Sequence, residues 1–313
     1  MAPALYGPTC KCCGRNTRLF GSIDASRSGE DRYGQVFPPS GKQIVYWRCL
    51  GCRFVFTDDL DSLSPAELAE RIYNDDYIRA DPGFVEERPK YFAGVLDELL
   101  VSLKHRIEAL DFGGGNGALA SLARGRGFDR YDSFDPFFGD QTPPMSLYDL
   151  VTAFEVVEHS RNPLGTFQEM QSLLKPGGVV MFSTMVQPND VDPEWWYIAP
   201  RNGHVSIHSD RSLRTLANRV GMHCLSVSQG LHVFYPSSES SVARFIAKGC
   251  AQSALRRASL RGGVALYSTS VQLAKLGCVQ PCLDPRHFAR LLFGERGCTR
   301  TADSTRPLPG AIA

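Results

Sequence analysis

The alternation of apolar and polar positions changes character along the chain. Residues 1 to about 60 carry short β-type runs, QIVYWRC and RFVFT, set among Cys, Gly and Pro. Helical periodicity begins at LSPAELAERIY. There Ser64 stands as an N-cap, Pro65 suits the first turn and Glu67 completes a capping box. FVEERPKYFAGVLDELLVSLKH continues as amphipathic helix with Pro89 near its start. Beyond it strands and helices alternate. IEALDF, YDSFD, YDLVTAFEV and GGVVMFST read as strands; GALASLARG, NPLGTFQEMQSLL and SDRSLRTLANRVG read as helices. MHCLSVSQG and LHVFY suit a closing hairpin. This order predicts an α/β fold with a mostly parallel sheet and an antiparallel end. SSVARFIAKGCAQSALRRASL suits a basic amphipathic helix, and GERGCTRTADSTRPLPGAIA reads as disorder, with no further core in this tail.

The 313 residues, 43% hydrophobic and 21% charged, suffice for a sizeable core in one large domain with extras, or in two domains. No run approaches the length of a membrane-spanning helix, and MAPALYGPTC lacks the pattern of a secretory signal, so a cytoplasmic protein is expected. The formal net charge of +1 hides an asymmetry. From Ser237 onward 11 Lys/Arg face 4 Asp/Glu, leaving 23 basic and 29 acidic residues before it. A mildly acidic body argues against a surface built to embrace nucleic acid. The basic tail leaves room for an anionic partner.

Five of the ten cysteines fall within the first 52 residues. Cys10 and Cys13, then Cys49 and Cys52, form two C-x2-C pairs. Each pair can aim two thiolates at one point, and two pairs complete a tetrahedral Zn²⁺ shell. An all-sulfur shell is closed, so the expected zinc is structural. Gly14 fits the first tight turn, and Cys12 is an alternative ligand or a bystander. DASRSGEDRYGQVFPPSGK is the excursion between the knuckles.

LDFGGGNG follows a strand and opens a helix. Gly113, Gly115 and Gly117 allow a tight turn and close approach of a ligand. Gly113, Gly115 and Ala118 also fit the looser dinucleotide pattern. Asp111, two residues earlier, would repel a pyrophosphate but suits an ammonium group, directly or through water. Asp135, at the end of the next strand, can accept from both hydroxyls of a ribose. With LLKPGG and YDLVTAFEVVEH added, the stretch from Ile107 to Tyr235 resembles the class I S-adenosylmethionine (SAM)-dependent methyltransferases, chiefly the subgroup whose strand ends in EVxEH. The resemblance implies a Rossmann-like sheet and SAM as cofactor. The chain departs from the pattern between Asp135 and Tyr148, which is too short for the usual helix and third strand. Asp140 could meet the adenine amine there. Phe137 or Phe138 could stack on the ring or be ordinary loop residues.

In FEVVEH, Glu155, Glu158 and His159 share the i, i+3, i+4 spacing of one helical face. The turn lies at the carboxyl end of the sheet, where open α/β folds place ligands. WWYIAPRNGHVSIH can bring His204 over the same mouth. Two carboxylates and two imidazoles suit an octahedral Mg²⁺ or Mn²⁺ site. Alternatively His159 or His204 is a general base oriented by a glutamate. A third reading has Glu155 capping amides, Glu158 solvated and His159 packed under the loop. The arrangement is similar to that of small-RNA 2′-O-methyltransferases, and its first part to ubiquinone-pathway O-methyltransferases; the resemblance implies ligand roles for Glu155, Glu158, His159 and His204. His208 and His223 read as surface or loop residues. Trp195, Trp196 and Tyr197 either wall an acceptor ring or anchor their loop.

Tyr73, Tyr77 and Arg88 could fold over the cofactor as a lid. YNDDY before such a core resembles sugar-modifying relatives with a cysteine-rich front domain. The expected organisation is a zinc module over 1–60, a helical linker or lid over 61–105, the methyltransferase over 106–236 and a basic, partly disordered extension over 237–313. The expected activity is methyl transfer to a hydroxyl of a sugar or other small acceptor, including a nucleotide-linked sugar. The alternatives are an RNA 2′-O-methyltransferase and a zinc-bearing interaction protein with a degenerate fold.

Overall fold

The computed structural model describes residues 7–136, 144–236 and 240–260. The chain opens with an antiparallel sheet in which β1 (Thr17–Asp24) pairs with β2 (Gln43–Cys49), and β2 with β3 (Val55–Phe56). β1 bulges between Leu19 and Gly21, where a Cβ on Gly21 would fall 2.5 Å from Pro193. In the excursion between β1 and β2, the Asp24 carboxylate accepts from the backbone N–H groups of Ser26, Ser40 and Gly41.

Helices α1 (Pro65–Arg71), α2 (Tyr77–Ala80) and α3 (Glu87–Leu100) follow. Ser64 and Glu67 form the expected reciprocal capping box on α1. Then come β4 (Glu108–Phe112), α4 (Ala118–Gly125), β5 (Arg130–Phe134), β6 (Tyr148–Ala153), α5 (Pro163–Ser172), β7 (Leu174–Ser183), β8 (Ser206–Ile207), α6 (Asp210–Arg219), β9 (Met222–Ser226), β10 (Leu231–Pro236) and α7 (Ser241–Leu260).

The central sheet runs β5-β4-β6-β7-β10-β9. β4 to β7 pair in parallel, and β10 is antiparallel to both neighbours, as the closing hairpin requires. The middle strands are buried on both faces, which suits their near-continuous apolar runs. Among the described residues β5 is an edge, in keeping with the short connection to β6. Phe137, Phe138 and Asp140 lie outside the described residues.

Helices cover both faces. On one, Phe167 stacks on Phe234 at 4.5 Å and meets Phe182 edge-on, with Leu213 and Leu216 of α6 beside them. On the other, α3 and α4 pack with Tyr131, Val233 and the start of α7. The start of the tail joins this existing core: Ala243, Ile246, Ala247 and Cys250 of α7 are buried there.

β8 leaves the body of the central sheet and completes the front sheet, with Val55 opposite Ile207 and Phe56 opposite Ser206. The front module is therefore stitched to the body just downstream of His204. The Tyr46 hydroxyl donates to the His204 carbonyl at 2.7 Å across the same seam. Among the described residues no helix is long and apolar enough to cross a membrane.

Candidate active site and cysteine cluster

The turn after β4 is shaped by its glycines. Gly113 has a φ of 74°, and a Cβ there would fall 2.6 Å from Val156 at the tip of β6. Gly117 caps α4 in the left-handed region. The backbone N–H of Gly113 donates to Phe134 O at 2.8 Å, and that of Gly115 to the Asp135 carboxylate at 2.9 Å, so the turn is tied to the end of β5. Asp111 lies beneath, with Thr152 Oγ1 3.2 Å from its carboxylate. Burial, opposed by the Thr152 bond, pushes its pKa up to about 7, and Asp135 adds to the rise. Gly114, which no sequence pattern singled out, is equally constrained: a Cβ there would come within 2.6 Å of the Asp111 carboxylate and 2.3 Å of Ser133 Oγ.

At the tip of β6 the chain makes a short 3₁₀ turn over Val157–His159. Ligand atoms of Glu158, His159 and His204 lie within 4.8 Å of one another. Glu158 is fully buried; one oxygen accepts from the Tyr197 hydroxyl at 2.7 Å and the other has no partner among the described residues. Burial raises its pKa to about 8, with Glu155 adding to the effect. His204 Nδ1 lies 2.8 Å from Tyr197 O, and His159 Nδ1 3.2 Å from Gly203 O. A carbonyl only accepts, so each Nδ1 carries the proton and each Nε2 keeps a lone pair. Burial lowers His159 to about 3 and His204 to about 4, so both rings are neutral at pH 7; His204 reinforces the shift at His159.

Glu155 does not join this group. Its φ of 58° is unusual for a residue with a side chain. Ser183 Oγ contacts both its backbone N–H and its carboxylate at 2.7 Å, and Arg88 Nε approaches the other oxygen at 3.4 Å. Arg88 also pairs with the buried Asp81. Residues of the front helices and their connections contact the tip. The Tyr73 hydroxyl stands 3.3 Å from His159 Nδ1, and Tyr73, Tyr77 and Phe84 form a chain of ring contacts at 5.2 Å spacing.

Three expectations need adjusting. His208 is neither surface nor loose: it is fully buried, with its ring 5.0 Å from Phe54. His223 lies within β9, partly buried, with its ring 5.5 Å from Tyr235. Tyr197 is buried and serves Glu158 rather than presenting a free wall, while the Trp196 ring carries the Arg32 guanidinium at 4.1 Å.

Across the front module, the four sulfurs of Cys10, Cys13, Cys49 and Cys52 lie within 4.8 Å of one another. Cys10 is 3.6 Å from Cys52 and Cys13 is 3.4 Å from Cys49. Thiolates around a tetrahedral zinc stand about 3.8 Å apart, so the donor set fits the ion. N–H groups of Gly51 and Cys52 donate to Cys49 Sγ at 3.3 and 3.4 Å, as knuckle turns do for a thiolate. Gly14 has the left-handed φ its turn requires. Cys12 falls outside this group of four sulfurs, and its thiol donates to Ser212 O at 3.4 Å on α6.

Residues 84–227 match the family model of a methyltransferase domain. A ubiquinone biosynthesis O-methyltransferase from Burkholderia vietnamiensis is 34% identical over 95 residues, 29% of this chain and 40% of that protein. The chain thus spans well under half of that curated relative. An O-methyltransferase family protein from Burkholderia thailandensis, of known structure, matches with a TM-score of 0.43 and 15% identity over 56% of this chain and 63% of that one. Human N-acetylserotonin methyltransferase, solved with SAM, matches with a TM-score of 0.37 and 13% identity over 54% and 60% of the two chains. Residues 84–227, which carry most of the parallel α/β sheet described above, are thus similar to a methyltransferase domain.

Proposed function

We propose that the protein transfers the methyl group of SAM to a hydroxyl of a small-molecule acceptor, a sugar or similar ring, at the tip of β6. The observation that carries this reading is the cluster of buried Glu158, half-buried His159 and buried His204, with a carboxylate oxygen unpartnered among the described residues, beside the glycine turn. Asp111, Gly113, Gly115, Gly117 and Asp135 hold the cofactor. The 95-residue match to a protein named as an O-methyltransferase favours oxygen as the methylated atom.

The protein's own part is positional. The sulfonium is already a strong electrophile, so the site must aim an acceptor oxygen along the methyl–sulfur axis and exclude water. Positioning of this kind lowers barriers by up to ~10 kcal/mol in well-oriented models. Tyr197 fixes Glu158, the Tyr197 and Gly203 carbonyls fix the imidazole tautomers, and Tyr73 covers His159. Glu158, His159 and His204 would hold Mg²⁺ or Mn²⁺, with Glu155 as a fourth ligand once it exchanges Arg88 for the ion. Such an ion, when bound, lowers the pKa of an acceptor hydroxyl. The second reading uses no metal: His159 Nε2 takes the acceptor proton, which its fixed tautomer permits. In the front module, Cys10, Cys13, Cys49 and Cys52 hold a structural zinc.

Screening candidate acceptors with labelled SAM tests the activity. EDTA is expected to abolish turnover and Mg²⁺ or Mn²⁺ to restore it. Turnover indifferent to EDTA selects the plain base. Failure to bind SAM in calorimetry selects the interaction-protein alternative, and methylation of RNA alone selects the RNA 2′-O-methyltransferase.

A further inference from the structure

Beside the cysteine cluster three arginines converge. Arg15 comes from the first knuckle, Arg211 and Arg219 from α6, and with Cys13, Gly51, Cys52 and Thr215 they line one cavity of about 260 Å³. Among the described residues none of the three makes an ion pair with a carboxylate. Arg211 Nη1 donates to Gly51 O at 2.9 Å, and Arg219 Nη1 to Cys12 O at 2.8 Å. The Arg15 side chain lies over Gly51, where a Cβ would fall 2.4 Å from its Cδ.

Three like charges held together without acidic partners repel one another. A divalent ion in four thiolates carries a formal charge of minus two, which offsets that repulsion at the same spot. Four neutral thiols would not.

The arginines also bridge two parts of the chain. Arg211 and Arg219 reach from the body to both knuckles. Ser209 Oγ donates to Cys52 O at 2.6 Å, and Gln187 Nε2 to Arg53 O at 3.0 Å. From the second knuckle β3 runs to β8, which begins two residues after His204. Between them the N–H of Thr57 donates to Val205 O at 3.1 Å, and that of Val205 to Glu158 O at 2.9 Å.

We propose that Arg15, Arg211 and Arg219 are the counter-charge of a metal-loaded four-cysteine site, and that loading this site locks the front sheet and the His204 strand onto the methyltransferase body. The inference rests on the structural-zinc reading of the cysteines. It makes the arginines positioning residues, which act on the β6 tip through β3 and β8. An empty cluster leaves the collar without its counter-charge and loosens the seam that places His204.

The test uses the full chain, with zinc retention and hydrogen exchange as readouts. Against a competing chelator, the double variant Arg211→Gln/Arg219→Gln is expected to retain zinc about tenfold less tightly than the wild type, the low end of effects for groups just outside a metal shell. Arg211→Lys/Arg219→Lys should restore most of the loss, since charge is what the thiolates sense. Stripping zinc from the wild type should remove exchange protection over 204–212 while β4 and β6 keep theirs. Wild-type zinc retention in the Gln pair, or intact protection over 204–212 after stripping, overturns the proposal with the zinc reading standing. A purified chain that neither contains zinc nor takes up added Zn²⁺ or Co²⁺ overturns both. If the double variant does not fold, Arg15→Gln poses the same question from outside α6.

Discussion

Asp135 closes the glycine turn by accepting from the Gly115 N–H at 2.9 Å, at the end of β5, where a ribose would be held. Asp135→Ala should weaken SAM binding about tenfold to a hundredfold, the size of one or two lost charge-assisted hydrogen bonds; unchanged affinity in calorimetry removes the ribose role. Glu158 gives a pH signature. Its folded pKa of about 8 lies above the ordinary carboxyl value of 4.5, so the folded state binds the proton more tightly than the unfolded one. In metal-free protein that contribution is complete below pH 4.5 and is lost as pH rises through 8. Asp111, at about 7, acts in the same direction. The melting temperature of chelated wild type should therefore fall between pH 6 and pH 9, and Glu158→Gln should flatten the fall. An equal slope in both proteins refutes the buried-acid account. The closeness of Glu158 and His159 was legible because adjacent positions at a strand tip constrain where side chains go, whereas the same spacing wrongly put Glu155 with them. Tyr197 was not, because a phenol reaching back to a carboxylate 39 positions earlier leaves no periodic trace. The hold of Ser183 and Arg88 on Glu155 was hidden for the same reason, since both partners come from other elements.

Elements with a full period of apolar residues were legible from end to end. α3, α4, α5 and α6, and the strands of the central sheet, fall close to where the patterning puts them, because each buries one stripe or both faces, while α1, which buries no residue, was marked by its Ser64–Glu67 capping box. β1 and β8 were not. β1 is interrupted by a bulge and has a mixed burial pattern, and β8 has only two residues, too few for any alternation. α7 was read as helix, but its destination was missed. Its polar residues mask the short apolar row that meets α3. Ile246 is fully buried in that row. Ile246→Ala should cost ~2–5 kcal/mol, the range for buried aliphatic truncations. Urea denaturation would show this as a lower midpoint with an unchanged slope. A midpoint equal to wild type would mean that the helix is not part of the cooperative fold.

At the scale of the molecule, the parallel sheet followed from alternating strands and helices, and the edge position of β5 among the described residues from counting residues between two motifs. What could not be counted was the return of the chain to its own front sheet. β3 is paired on one side by β2 and on the other by β8, about 150 positions downstream. A ribosome adding about 5–20 residues per second takes roughly 10–30 s to cover that stretch. During that interval the nascent front sheet keeps a bare β3 edge that the emerging polypeptide satisfies only once most of the central sheet has been made, so a sheet begun before the body is finished after most of it.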